Sequence, residues 1–414
     1  MQHRTDILFL TVLLGGIQLG TGISLAASGD TEICRAKGNR QAAIVQVSDD
    51  GFYESVTVFD SLWKEFDLKG TVALTVGWVE DIGITPSDPP NVGRYHGTWA
   101  EWAARIEEGH LDVQNHTYTH PNLPSVDDSP DSLELQINYA KELIDANIPN
   151  YYTIALMGPF SSVGEPAIAK AAERHYAVRT GSDGFNSLEA TDDELLHSRR
   201  KVLTSGTAVA VANGWVDQAI NEGTWFNELF HGQGEEGWEP LSMSFCEQHW
   251  SYIASRSDEI WSATFGELVR YIIERREAAL DVLFARETEI QLTLTDGMPD
   301  SIFNYPLTLK TEVPGTWASV LVVQDTIQQT VVPVQESGAS FAYYDAIPDR
   351  GEISLFDAAS VSVSLRLKRE PKRYSPVLIL INNPGEFPSL NLLGQRSLPQ
   401  KMSSGASIRI IDGK

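Results

Sequence analysis

Cysteine, basic side chains and long apolar runs are what this sequence has least of. Two cysteines, Cys34 and Cys246, occur among 414 residues. They allow one disulfide in an oxidising compartment or two separate buried thiols, and spacing does not choose between these. Lysine and arginine total 31 against 56 aspartates and glutamates, a net charge of -25. A surface of that sign cannot displace the counterions of a polyphosphate, which argues against a nucleic-acid partner. It also weighs, more weakly, against strongly anionic ligands and toward a neutral or cationic substrate, since one cleft can differ from the average. No internal repeat and no low-complexity linker stands out. The most apolar stretch, "ILFLTVLLGGIQLG", is too short and too glycine-rich for a comfortable membrane span.

His3 and Arg4 precede that run, and "SLA" (Ser24–Ala26) after it offers the small residues that signal peptidase reads. Residues 1–26 read as a cleaved secretory signal, with an uncleaved anchor as the alternative, so a secreted or periplasmic protein is expected. Cys34 lacks the small residues that lipid attachment requires just before it. Residues 27–40 form a lead segment.

From Gln41 to about 284, short apolar runs alternate with amphipathic stretches. "AAIVQV", "TVALTV", "LDVQN", "YTIALM", "YAVRT" and "TWFNELF" read as strands. "VTVFDSLWKEF", "TWAEWAARIEEG", "SLELQINYAKELIDANI", "PAIAKAAERH" and "FGELVRYIIERREAAL" read as helices. Repeated strand–helix units imply parallel strands with helices outside, in an open sheet or a barrel of about seven strands. Over 285–414 the helical period stops. "EIQLTLT", "YPLTLKTEV", "SVLVVQD", "TVVPVQ", "SVSLRL" and "PVLILI" suggest a small antiparallel β-domain, a sandwich by preference.

In α/β sheets and barrels, functional groups collect past the carboxyl ends of the strands. "AAIVQV" runs into "SDDG", which carries Asp49 and Asp50. "LDVQN" runs into "HTYTH", which carries His116 and His120, and "TWFNELF" ends at His231. An isolated HxxxH pair or DDG turn is commonly a solvated loop. Three strand ends delivering carboxylates and imidazoles to one rim is a different matter, because core packing does not require it. Two imidazoles four apart reach one ion, and an aspartate completes a two-His, one-carboxylate set with an open position. An ion so held lowers the pKa of water and polarises a carbonyl. The remaining aspartate can act as general base and His231 as acid, an inventory for hydrolysing an ester or amide.

The order "SDDG", "HTYTHPNL", "ELFHGQG" resembles the polysaccharide deacetylases of carbohydrate esterase family 4, which include chitin and peptidoglycan deacetylases. The resemblance covers roughly Gln41 to Ala279. It implies a distorted (β/α)7-type barrel, a divalent metal (zinc foremost; cobalt, nickel or iron are compatible) and an acetylated polysaccharide or oligosaccharide as partner. It also implies roles: Asp49 as base, Asp50, His116 and His120 as metal ligands, and His231 as acid. Leu229 would line an acetyl-methyl pocket. The family's arginine-containing third motif is here "MGPF", with Met157 in the arginine's place and Pro159 and Phe160 retained; its Asp-x-x-Asp-Trp motif is missing. Arg179, arriving from the next strand in "VRTGSDGFN", is the expected substitute cation beside Asp49, with a plain surface residue as the alternative.

Aromatics suit a sugar site because rings stack on pyranose faces. Phe160 and Trp238, in the polar loop "GQGEEGWEP", are the candidates, whereas Trp225 belongs to an apolar strand and reads as core. His249 and Trp250 read as packing residues at a helix start; His96, His110, His175 and His197 have no motif partner. The reading is a secreted, metal-dependent carbohydrate deacetylase acting on N- or O-acetyl groups. Two competitors remain: a non-catalytic carbohydrate-binding protein on a degenerate barrel, and an amidase for a small amide.

Overall fold

The structure is a computed structural model that describes residues 29–81 and 92–360. The expected signal segment and the expected strands "SVSLRL" and "PVLILI" lie outside the described residues. The described chain opens with β1 (Thr31–Ile33). Strands β2 (Ala42–Ser48), β3 (Gly70–Leu74), β4 (Leu111–Asn115), β5 (Ala155–Met157) and β6 (Ala177–Asp183) follow. After them come β7 (Asn186–Ser187), β8 (Ser198–Val202), β9 (Thr224–Phe230) and β10 (Ile260–Ala263).

Strands β2 to β10 form one sheet in the order β10-β2-β3-β4-β5-β6-β8-β9-β7, and β2 also pairs with β9. That extra pairing, Ala43–Ser48 against Trp225–Phe230, closes a parallel ring through β2, β3, β4, β5, β6, β8 and β9. Strands β2, β3 and β5 are buried on both faces because side chains fill the lumen and helices cover the outside. The ring is distorted for a visible reason. β10 takes the lower edge of β2, opposite Ala42–Val45, while β3 takes only Gln46–Ser48.

The outer layer consists of α1 (Tyr53–Glu65), α2 (Trp99–Glu107), α3 (Pro130–Leu133), α4 (Ala140–Asn147) and α5 (Glu165–Ala171). It continues with α6 (Asp192–Leu196), α7 (Val209–Glu222), α8 (Met243–Ser255) and α9 (Phe265–Glu277). Capping boxes start α2 (Thr98 with Glu101) and α9 (Thr264 with Glu267), each satisfying orphan backbone donors. The segment expected as one long helix is interrupted by a π-turn over Glu134–Tyr139, between α3 and α4. No helix among the described residues is long and apolar enough to cross a membrane.

Past α9 the chain is all β: β11 (Ala279–Ala285), β12 (Glu289–Thr295), β13 (Leu307–Val313) and β14 (Val320–Gln324). Then follow β15 (Ile327–Val331), β16 (Val334–Glu336), β17 (Ala339–Ala346) and β18 (Glu352–Asp357). They form two antiparallel sheets, β11-β12-β18-β14-β15 and β1-β13-β17-β16. Alternate residues of both, Leu292 and Leu355 from one and Leu309 and Tyr344 from the other, join a single buried cluster. The same cluster runs through α9 (Leu268, Ile272) into the barrel floor (Val45, Ala155, Ala177). The lead segment is part of this layer, since Thr31–Ile33 pair with Leu309–Thr311 of β13. Cys34 and Cys246 are both buried and unbonded. Burial pushes each thiol up to about 12, which keeps it protonated and inert. His249 lies in the middle of α8 rather than at its start, fully buried and hydrogen-bonded to Glu228 (2.9 Å) and Asn213 (2.7 Å).

Candidate metal centre

The tip of β2 turns sharply to expose two carboxylates. Asp50 and Gly51 both adopt left-handed backbone (φ 72° each). Aspartate tolerates this conformation and glycine prefers it; a Cβ at Gly51 would meet Leu74 Cδ1 at 2.5 Å. His96, unassigned from sequence, fastens the turn: its Nδ1 donates to the carbonyls of Asp50 (3.0 Å) and Gly51 (3.2 Å).

The loop after β4 is held under backbone strain. Thr117 (φ 70°) and His120 (φ 59°) are left-handed, and for a β-branched threonine this is an outlier costing roughly 1–3 kcal/mol. The opposing forces are on the page. Asn115 Oδ1 accepts from the Thr117 amide (2.8 Å), and Thr117 Oγ1 accepts from the His120 amide (3.0 Å). The π-turn supplies a second clamp. Gln136 Oε1 accepts from Thr119 N (2.9 Å), its Nε2 donates to Thr119 Oγ1 (2.8 Å), and its carbonyl accepts from Tyr118 N (3.1 Å). The next carbonyl, Ile137, accepts from Asn115 Nδ2 (2.8 Å). Widening the helix by one residue turns these carbonyls outward to the loop, a use typical of π-turns near functional sites.

The two elements bring Asp50, His116 and His120 together, with one ligand atom from each within 4.8 Å of the others. Asp50 Oδ1 stands 3.4 Å from His116 Nε2 and 3.1 Å from His120 Nε2. His116 Nδ1 donates to the Met157 carbonyl (2.7 Å). That bond fixes the tautomer, so its Nε2 presents a lone pair, and burial favours the neutral ring. A carboxylate oxygen and an imidazole lone pair thus face each other in a buried site without a proton to share. A divalent cation satisfies both, so the donor set fits a metal. Burial raises the Asp50 carboxyl, yet the neighbouring His116 and His120 rings, with His231 assisting, hold it well below the ordinary range.

Asp49 lies beside this set, its Oδ2 3.9 Å from His116 Nε2. Arg179 grips it through two parallel bonds, Nη1–Oδ1 at 2.7 Å and Nη2–Oδ2 at 2.6 Å. Arg179 is fully buried and so is a site residue rather than a surface one. Its position has a simple cause: Met157 and Arg179 are direct partners across β5 and β6, so the cation enters from one strand over. Burial raises the Asp49 carboxyl, but Arg179, with His116 assisting, holds it below the usual value.

His231 follows β9 and acts electrostatically on both aspartates. Its ring meets Trp238 edge-on at 5.6 Å, and Trp238 is 51% exposed. Phe160 sits across the site against His120 (4.6 Å) and is 58% exposed. Pro159 and Leu229 are buried, and Trp225 is core. Beneath His120 lies Trp78, buried at 5.2 Å and stacked in turn on His96 at 4.9 Å. Sequence reasoning missed His96, Trp78, Asn115 and Gln136. Only Asn115, adjacent to the histidine pair, carried a signal.

Residues 36–178 match the family model described as polysaccharide deacetylase. A gellan lyase from Bacillus sp. is 24% identical over 352 residues, 80% of this chain and 13% of that protein. The chain therefore spans a small part of this curated relative. Among solved structures, a polysaccharide deacetylase from Bacillus cereus is similar at 23% identity and TM-score 0.30, covering 37% of this chain and 45% of that one. A peptidoglycan deacetylase from Bacillus subtilis is similar at 14% identity and TM-score 0.35, covering 57% of this chain and 94% of that one. The family match spans the "SDDG" turn and the "HTYTH" loop and stops one residue short of Arg179. Over residues 36–178, this chain is similar to the polysaccharide deacetylase family.

Proposed function

We propose that the protein is a secreted, metal-dependent deacetylase that hydrolyses N- or O-acetyl groups of a polysaccharide or oligosaccharide. The observation that carries this reading is the buried Asp50–His116–His120 cluster standing directly beside the Asp49–Arg179 pair. Asp50, His116 and His120 would hold the ion, with Zn2+ foremost and Co2+, Ni2+ or Fe2+ compatible with the donors. When bound, such an ion supplies Lewis-acid polarisation and a more acidic water.

The chain's own residues supply the rest. Asp49, kept ionised by Arg179, is placed to take a proton from the attacking water. His231, just past the end of β9, would return a proton to the leaving amine or alkoxide. Leu229, buried in β9 two residues before His231, would shelter an acetyl methyl. Phe160, against His120, and Trp238, against His231, present two exposed rings that could stack on sugar faces. Secretion is supported by the signal-like sequence of residues 1–26.

The test is acetate release from N-acetylated chito-oligosaccharides and O-acetylated xylo-oligosaccharides, with the protein metal-loaded and after chelation. Release that disappears on chelation and in His120→Ala supports the reading. No release from either series, with metal bound, favours a binding protein instead.

A further inference from the structure

Strand β8 reads Ser-Arg-Arg-Lys-Val, and its side chains alternate between the two faces of the barrel wall. Lys201 points outward, its ammonium 4.9 Å from the Phe185 ring centroid, 5.6 Å from that of Trp215 and 2.7 Å from Asp183 Oδ2. Arg200 therefore points to the lumen side, in register with the buried Asn227 of β9. It is partly buried and within electrostatic reach of both Arg179 and Asp49.

Yet this guanidinium has few direct partners. Among the described residues it makes a single side-chain hydrogen bond, Nε to Ser161 Oγ at 3.3 Å, and no carboxylate lies within 4.0 Å of it. The nearby carboxylates are committed elsewhere: both Asp49 oxygens to Arg179 and Asp183 to Lys201. Burial and the repulsion of Arg179 disfavour its charge, while Asp183 and Asp49 favour it from a distance. A partly buried cation with so few protein partners, in a chain with 56 acidic residues, leaves its fork open to a partner that arrives from outside. Ser161 follows Phe160 directly, so the free fork opens beside the exposed ring at the site. A planar guanidinium fork matches a carboxylate through two charge-assisted bonds.

We propose that Arg200 forms a subsite for a substrate carboxylate, making the substrate an acidic glycan whose carboxyl group lies on or next to the acetylated sugar. This rests on the deacetylase reading and narrows it, against the expectation from net charge. The carboxylate has two chemical sources: a uronic acid, or a lactyl ether on an amino sugar.

The experiment uses metal-loaded full-length protein and two acidic probe series, partially O-acetylated oligogalacturonides and glycan strands alternating N-acetylglucosamine with N-acetylmuramic acid. Each is paired with its neutral carboxamide form. The wild type should process one acidic series at least tenfold faster, by kcat/KM, than its neutral form, and that series names the source. Arg200→Gln should erase the ratio, and Arg200→Lys should restore part of it. Calorimetric titration with the same oligosaccharides lacking acetyl groups gives a reading independent of turnover, with binding at least tenfold weaker in Arg200→Gln. If that weakening is seen without acetate release, the subsite stands and the deacetylase reading falls. If acetate is released but the wild type and Arg200→Gln do not differ in either assay, the subsite falls and the deacetylase reading stands.

Discussion

Replacing Arg179 with methionine tests how the site replaces its missing motif arginine. The side chain is fully buried and bonded through both terminal nitrogens at 2.6 and 2.7 Å. Methionine fills most of the volume but leaves Asp49 as a buried carboxylate facing no cation. Opposite charges about 4 Å apart at an effective dielectric near 20 attract by about 4 kcal/mol. Breaking such a pair from one side destabilises by roughly 3–5 kcal/mol, because the surviving charge stays dehydrated. In a fold of this size that corresponds to a melting temperature lower by roughly 5–10 °C. Asp49 would also lose both contacts that aim it, and a displaced catalytic group costs about a hundredfold in rate. Arg179→Lys keeps the charge but not the fork, so it should recover stability more than kcat. The assay pairs thermal melting with acetate release at saturating substrate. A methionine variant within threefold of wild-type kcat and within 2 °C of its melting point would refute the argument.

Chelation should remove activity and lower the melting point, since an ion at a hundred times its Kd stabilises by about 2.7 kcal/mol; His120→Ala should abolish the chelator-sensitive part, read by calorimetry. Gln136→Ala, which removes the π-turn clamp without touching a ligand, should weaken Co2+ or Zn2+ affinity about 10–100-fold in a competition titration. Unchanged affinity would make the clamp merely structural. Glu274, buried and accepting from the Tyr305 amide (2.9 Å), has its carboxyl pushed by burial up to about 8 from 4.5. The folded state therefore keeps a proton that the unfolded chain has lost, so this contribution is complete below about pH 4.5 and disappears as pH rises to about 8. Melting points should fall across that window in the wild type and flatten in Glu274→Gln.

What the sequence revealed and what it hid divide along physical lines. Much of the barrel was legible because strands such as β2 and β3 are apolar runs that alternate with amphipathic helices such as α1 and α2. The metal set was legible because Asp50, His116 and His120 sit at strand ends in a fixed order. Arg179 could be named because only one cation stands near the right height on the next strand. The π-turn was illegible: "SLELQINYAKELI" keeps its helical hydrophobic period straight through it. β10 and β1 are four and three residues long, too short for periodicity to register. Arg200 was hidden in "SRRKV", which reads as a solvated basic edge until the strand's alternation sends one residue inward and its neighbours out. His96 depends on a through-space contact with the Asp50 turn that no spacing rule anticipates.

The pairing of Thr31–Ile33 with β13 means that the carboxyl-terminal sheets are not a detachable cassette. A fragment starting near Arg286 would leave β13 with a bare edge along Leu309–Thr311, an invitation to self-association, and would strip the cover that α9 gives to Leu309 and Leu292. The two ends of the described chain are thus sewn into one fabric, and trimming at the amino end would unravel it at the far side.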